Sequence, residues 1–494
     1  KGLPCIWVEP YSLPITRPIP GEFIQGTLVS PLFTNNRTSS LRHLRSLIIA
    51  RMKKTCLFIL CSLCILQAAG QYRTPTDPKP SGLRVFTTRG ESFTLWLDGF
   101  ADLDGSYFFG YYEDYDSIPN GGTVRNARLG LRAEVADGWT GVFEADFSRL
   151  KPRITEAYIQ YSGIRNLNIT AGHFESLFSM EGAVRPREQA FQEKPMVISA
   201  MVPVDLLGIQ VSTNQYWFLG SLGVSFDKTS YQRQNPEADS ILTTSFDSRT
   251  VIAKVVAMPF VNNKNVGLHI GVAASYKFPA KDPVSGSYPF IRYRQGNVAY
   301  INRNQYLDTY VIKNIKSQYL FNGQAGFYYK GLRLQGEYLY NMTNLAKPLS
   351  GVEGPVSVLH FKGFYAQAGM LLFGGRQRYD NTTGLFMNPS RGRKWGDVEL
   401  LARYDHLDLN YDPIKGGASQ NYTAGINYYI NDHVKLMVNY IYTDNDRYAN
   451  GAGQFLIGHD AYGYPSKDYS QIIEVARKAG VDFHTVSLRF ELTF

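Results

Sequence analysis

From residue 484 to the end the chain alternates without a break. Val486, Leu488, Phe490, Leu492 and Phe494 are apolar, and Thr485, Ser487, Arg489, Glu491 and Thr493 between them are polar. A period of two gives an extended strand with one oily face and one wet face. The wet face carries both charge signs and an aromatic residue ends the stretch. That suits a strand crossing a bilayer with its apolar face to lipid and its polar face to a lumen. The pattern recurs upstream. Ala127, Leu129, Leu131, Ala133 and Val135 alternate with Asn126, Arg128, Arg132 and Glu134, and Phe143, Ala145 and Phe147 alternate with Glu144 and Asp146. Such alternation predicts strands over 92–104, 123–136, 139–149, 153–162, 167–175, 206–213, 216–226, 247–258, 266–277, 318–329, 331–342, 361–374, 395–408, 421–430, 434–447 and 482–494. The total is about sixteen, an even number as bacterial barrels require.

The connections alternate as well. Asp137-Gly138 is a tight-hairpin pair, and 163–166, 213–215, Lys330-Gly331 and 431–433 are also short. Between them fall 105–122, 176–205, 227–246, 278–317, 343–360 and 448–481, all long. Short turns at one end and long loops at the other are the periplasmic and extracellular ends of an outer-membrane barrel. The connection 375–394 is long but falls on the short side, so either a strand is missed there or the chain makes a periplasmic excursion. A propeller or a large soluble sandwich would also alternate. The export signal, the aromatic terminus and the loop asymmetry favour the all-β transmembrane barrel with its antiparallel strands.

That signal precedes the alternating region. Met52-Lys53-Lys54 leads into the apolar run Thr55–Leu66, and Ala68-Ala69-Gly70 offers small residues for cleavage, so 52–70 reads as a secretory signal peptide. Residues 1–51 show no periodicity and read as non-native upstream translation ahead of a start at Met52. Residues 71–91 are a proline-broken periplasmic lead-in, and 92–494 are the barrel.

Composition changes the picture in three places. Aromatics make up 14% of the 494 residues, which favours strands. The net charge of +9 is concentrated at the start: residues 1–70 hold eight bases and two acids, and the rest holds 43 bases and 40 acids. Bulk charge therefore gives no support to a nucleic-acid partner. Cys5, Cys56, Cys61 and Cys64 all precede residue 71, so the barrel region has neither disulfides nor a thiolate metal site.

Candidate chemistry lies in the lumen. Arg128 and Arg132 face inward, with Glu144, Asp146 and Glu156 on the neighbouring strands as wall salt-bridge candidates. They read either as a bracing ladder or as a basic track guiding anions. The loop 176–205 holds Arg185, Arg187 and Lys194 against Glu181, Glu188, Glu193 and Asp205. Its apolar residues Phe178, Met180, Phe191 and Met196–Met201 are too oily for water, so it is expected to fold into the barrel mouth and narrow it. The histidines show no metal-ligand spacing, no phosphate-cradling loop follows a strand, and no cofactor is expected. Asp405-His406 is the one candidate acid–base dipeptide.

Val124–Gly130, Asp137-Gly138-Trp139, Phe143–Phe147, Thr155–Ile159 and Thr170–Phe174 together resemble the phosphate-selective porin O and P family. The block Trp395–Asn410 and the hairpin Gly425–Asn431 into Val434–Tyr440 are similar to that family's carboxyl-terminal third. The resemblance implies a sixteen-stranded, homotrimeric outer-membrane channel with the third extracellular loop folded inward. The expected function is diffusion of small hydrophilic solutes, with anions such as phosphate among the candidates, across the outer membrane of a Gram-negative bacterium. The alternative is a barrel enzyme or an adhesion scaffold acting through its large loops. Arg128, Arg132, Arg185, Arg187 and Lys194 are the candidate anion contacts, and only a weak anion preference is expected among so many carboxylates. Phe494 is the candidate signal to the outer-membrane assembly machinery, and membrane lipid is the expected partner of the apolar faces.

Overall fold

The computed structural model describes residues 82–494 apart from 89, 91, 112–117, 204, 227–247, 262, 282–287, 297 and 475–478. The expected signal peptide, the segment 1–51, most of the lead-in and all four cysteines lie outside the described residues.

Sixteen strands form the barrel. They are β1 (Phe93–Phe109), β2 (Gly121–Val135), β3 (Trp139–Asp146), β4 (Arg153–Ile164), β5 (Leu167–Glu175), β6 (Asp205–Gln215), β7 (Phe218–Phe226) and β8 (Arg249–Ala257). They continue with β9 (Val266–Phe278), β10 (Ile315–Tyr329), β11 (Leu332–Gly351), β12 (Gly354–Leu371), β13 (Asp397–Tyr411), β14 (Ile414–Tyr429), β15 (Val434–Asn445) and β16 (Phe483–Thr493). Each pairs antiparallel with the next, and β16 pairs with β1 from Phe100↔Thr493 to Phe109↔His484, which closes the sheet. Closure leaves no orphaned edge in lipid, where each unpaired backbone group would cost several kcal/mol. Within the expected lead-in, Leu83–Thr87 adds a short strand against the start of β1.

Burial along β16 is the reverse of a soluble strand. Arg489 is 1% exposed and Glu491 2%, whereas Leu488 is 52% and Leu492 45% exposed. Polar groups face protein and apolar groups face outward, as the alternation predicts for a lipid-facing wall. Aromatic residues mark both rims. Trp139, Trp217 and Trp395 are exposed at the short-turn end. At the other end the rings of Tyr107, Phe109, His484, Tyr442, Tyr422 and Tyr404 follow one another at centroid spacings of 5.0–6.2 Å. No helix of the described residues is long and apolar enough to cross a membrane. The predicted Asp-Gly turn is present, with Asp137 at φ 64° and Gly138 at φ 85°. A Cβ on Gly138 would lie 2.5 Å from the Gly163 nitrogen, so the tight turn needs glycine.

One expectation needs correction, and one alternative left open by the sequence is decided. The segment 343–360 is not a loop: β11 and β12 run on as a paired hairpin with only Val352 and Glu353 between them. Alternation changes sense there because, beyond the lipid, the outward face meets water while Leu345 and Leu359 of the inward face pack in the apolar core, so the lipid-facing pattern stops although the strands still pair. The connection 375–394 is a periplasmic excursion and hides no barrel strand. It carries a small hairpin, Arg376–Asp380 against Leu385–Ser390.

The extracellular half of the lumen holds an apolar core. Phe178, Val197 and Ile198 of the third loop pack there with Tyr293, Tyr306 and Leu307 of the loop after β9, and with Ile457 and Ile472 of the loop after β15. Wall residues such as Leu339, Leu359, Phe361 and Leu407 complete it. Among the described residues, none of β2 or β3 belongs to this core. The wall that remains polar is the one bearing Arg128, Arg132, Glu144 and Asp146.

Candidate functional site

The third loop, between β5 and β6, crosses the lumen and is tied to the wall on several sides. Glu337 of β11 holds its first bend: its carboxylate accepts Ser179 Oγ at 3.0 Å, Met180 N at 3.1 Å and Glu181 N at 2.7 Å. The Lys435 ammonium of β15 donates to the Arg187 carbonyl at 3.0 Å, and Asn427 of β14 donates to the Ala190 carbonyl at 2.8 Å. A six-residue helix, Met196–Met201, follows, and the Asp405 carboxylate accepts its first N–H at 3.1 Å. Glu193 lies between two arginines, 2.5 Å from Arg125 Nε and 3.5 Å from Arg489 Nη2. Burial pushes the Glu193 carboxyl up, but Arg125 and then Arg489 more than offset this and hold it below its ordinary value.

These ties decide where each candidate side chain goes. Glu181 and Glu188 turn away from the β2–β4 wall, Glu181 accepting from Gln335 and Gln367 at 2.8 and 3.2 Å and Glu188 accepting the Asn388 N–H, while Glu193 is neutralised between Arg125 at the extracellular end of β2 and Arg489 of β16. Arg187 is buried and pairs with Asp98 of β1 at 3.0 Å. Lys194 donates to the Gly182 carbonyl of its own loop at 2.6 Å. Of the three loop bases, Arg185 reaches the polar wall, where it pairs with Glu156 at 3.1 Å and keeps 37% of its side chain exposed. Glu156 beside it raises the Arg185 guanidinium above its ordinary value, so it stays charged at every working pH.

Wall and loop enclose a polar cavity of about 30 Å³, lined among others by Asp98, Arg132, Glu144, Glu156 and Arg185. That is room for about two ordered water molecules. Arg128 sits beside it and donates to Glu144 at 2.9 Å. Thr155 donates to the same Glu144 oxygen at 2.6 Å, fixing the carboxylate against the wall. Arg132 pairs with Glu134 at 3.1 Å, both partly exposed. Asp146 is tied to the backbone instead, accepting Ala127 N at 3.2 Å and Ser148 N at 2.9 Å. The structure therefore brings Arg128, Arg132, Arg185, Glu144 and Glu156 together, sets Arg187 behind the cavity-lining Asp98, and leaves Lys194 and Asp146 out.

Sequence reasoning missed several lumen groups. Arg489 is nearly fully buried and forms a two-pronged pair with Asp104 at 2.7 and 2.8 Å. Lys254 lies at an inward position of β8, with no hydrogen bond or ion pair among the described residues. The parity of Ile252 and Val256 was the available signal for Lys254. Arg376 and Arg378 alternate in the periplasmic hairpin with Gln377 and Tyr379. Gln377 donates to Glu399 at 2.7 Å and Tyr379 lies 2.5 Å from His269, while the two arginines remain exposed. Asp405 and His406 sit on opposite faces of β13, because neighbours in a strand point apart: Asp405 is fully buried, and His406 lies beside the outward Phe364. They form no catalytic pair. Among the described residues no cluster of metal-ligating side chains occurs.

The family described as phosphate-selective porin O and P matches residues 101–459. Porin O of Pseudomonas aeruginosa is 25% identical over 400 residues, spanning 75% of this chain and 87% of the relative. A protein of Caulobacter vibrioides is 23% identical over 327 residues, spanning 65% of this chain and 62% of its own. Among solved structures, an anion-selective porin from Comamonas acidovorans superposes with a TM-score of 0.47 at 13% identity, covering 81% of this chain and 100% of that one. The outer-membrane channel DcaP of Acinetobacter baumannii gives a TM-score of 0.46 at 14% identity, covering 83% and 100%.

Proposed function

This chain belongs to the phosphate-selective porin O and P family, and on that premise we propose that its permeation path follows the β1–β4 wall and prefers anions weakly. The protein is a diffusion channel of the Gram-negative outer membrane for small hydrophilic solutes. The preference is carried by one observation: Arg128, Arg132 and Arg185 converge on the polar cavity while Glu181, Glu188 and Glu193 are drawn away from it. Arg128 and Arg185 each have a carboxylate partner, so the cleft is close to neutral and the preference is weak. A carboxylate held on one side of a guanidinium leaves its other N–H donors for a passing oxyanion. Phosphate, with several acceptor oxygens, gains most from such donors. Exposed Arg376 and Arg378 would extend the positive track toward the periplasm. Transport runs downhill, through a fixed set of donors. The finer partner readings, a homotrimer, lipid around the belt and recognition of Phe494 by the assembly machinery, rest on the family and on the exposed apolar wall.

Planar-bilayer recording of the purified protein tests the proposal. Stepwise conductance in KCl, reduced by added phosphate, is the expected result. Steps indifferent to phosphate would remove the anion site and leave a general pore.

A further inference from the structure

The periplasmic excursion returns to the wall through Arg391-Gly392-Arg393-Lys394-Trp395-Gly396. Three features make this a built rim and not a loose turn. The buried Asp397 carboxylate ties both legs of the excursion, accepting Phe373 N at 3.0 Å, Gly375 N at 2.8 Å and Gly392 N at 2.9 Å. Gly396 N donates back to the Arg393 carbonyl at 3.2 Å, which closes a tight turn with Lys394 and Trp395 at its tip. Tyr428 Oη donates to the Trp395 carbonyl at 2.8 Å.

The tip has an apolar side and a charged side. Trp395 is 53% exposed and meets the outward Phe373 edge to face, with ring centroids 4.8 Å apart and Leu372 exposed beside them. Exposed indole and phenyl rings at the end of a lipid-facing wall sit at the level of the lipid headgroups. At the same tip Arg393 and Lys394 are exposed and form no ion pair among the described residues. The neighbouring Asp432 is already engaged by Arg391 at 2.9 Å. Two unsatisfied cations are thus fixed just beyond an apolar surface, at the depth where phosphodiester groups lie.

We propose that this rim binds the headgroup of an anionic phospholipid of the periplasmic leaflet, with Arg393 and Lys394 on the phosphate and Trp395 and Phe373 against the upper acyl chain. Each base near an anionic lipid surface multiplies its occupancy by about fivefold. A zwitterionic lipid offers the same apolar contact without that gain. Phosphatidylglycerol is the probe.

The full chain is refolded into nanodiscs of phosphatidylcholine carrying a minor fraction of brominated phosphatidylglycerol or, in parallel, brominated phosphatidylcholine, and tryptophan quenching is read. Excess quenching by brominated phosphatidylglycerol is expected in the wild type, absent from Trp395→Phe, and lost in R393Q/K394Q. It should persist in R376Q/R378Q, which removes as much charge from the hairpin. Heat-modifiable mobility confirms that each variant is a folded barrel. Equal quenching by the two lipids in the wild type would overturn the proposal. So would excess quenching that survives R393Q/K394Q or Trp395→Phe, since the lipid would then sit elsewhere.

Discussion

The Glu337 carboxylate accepts the backbone N–H of Glu181 at 2.7 Å, joining the wall strand β11 to the third loop 156 residues earlier. The same carboxylate accepts Ser179, Met180, Asn322 and Tyr365, so one buried anion gathers five donors from the loop and the wall. Replacing it by Ala leaves those donors without an acceptor and costs about 3–5 kcal/mol locally. Because the Glu181 carboxylate of the same bend is taken up by Gln335 and Gln367, the cost falls on the loop's inward position. Glu337→Ala is therefore expected to raise single-channel conductance and broaden its distribution, with Glu337→Gln intermediate. Unchanged conductance in a folded Glu337→Ala barrel would show that the loop is held by its other ties.

Asp482 lies where the last extracellular loop enters β16. Burial pushes its carboxyl up to about 6 from 3.8, with Asp444 adding to the rise and the Asn445 N–H opposing it. An acid raised in the folded state keeps a proton there that the unfolded chain has already lost. Stability from this group is therefore full below about pH 4 and declines as pH rises toward 6. Asp482→Asn should raise the melting temperature by about 1–2 °C at pH 7 and leave it unmoved near pH 4. A gain of the same size at both pH values would assign it to packing and not to charge.

Phe494 closes the seam. Its N–H donates to the Gly99 carbonyl at 3.0 Å and its carbonyl accepts the Gly99 N–H at 3.2 Å. Its ring lies so close that a Cβ on Gly99 would be 2.6 Å from Phe494 Cζ. Deleting Phe494 is expected to lower the heat-modifiable, outer-membrane fraction several-fold. Gly99→Leu, which disturbs the same seam and keeps the terminal aromatic, separates the two roles. Normal levels of Gly99→Leu with loss in the deletion would assign Phe494 to targeting, and equal loss would assign it to closure.

The barrel was legible because lipid inverts the usual burial rule at each spanning residue. Leu488 and Arg489 already tell the two faces apart in the sequence. The same parity put Arg128, Arg132 and Glu144 in the lumen. Parity fails where the outward face meets water and the inward face meets the apolar core, and so the upper parts of β11 and β12 read as a loop. It is also silent about the third loop, where Arg185 and Arg187 differ by two residues yet go to Glu156 and Asp98 on different strands. Those partners are set by closure of the barrel, which brings β1 beside β16 and the loop across both. The hairpin Arg376–Ser390 did carry a period of two, but five residues against six are too few to outweigh the barrel's own count.

The central claim is that Arg128, Arg132 and Arg185 set the preference of the path, and the zero-current potential in a KCl gradient tests it most directly. A fixed charge about 4 Å from an ion contributes roughly 1 kcal/mol in water and more where water is scarce, or about fivefold in relative permeability. Changing all three to Gln, which leaves Glu144 and Glu156 without cationic partners, is predicted to move the potential to cation selectivity, while Lys194→Gln, at a side chain tied within its own loop, leaves it in place. A potential unmoved by the first change, or moved equally by the second, would contradict the account.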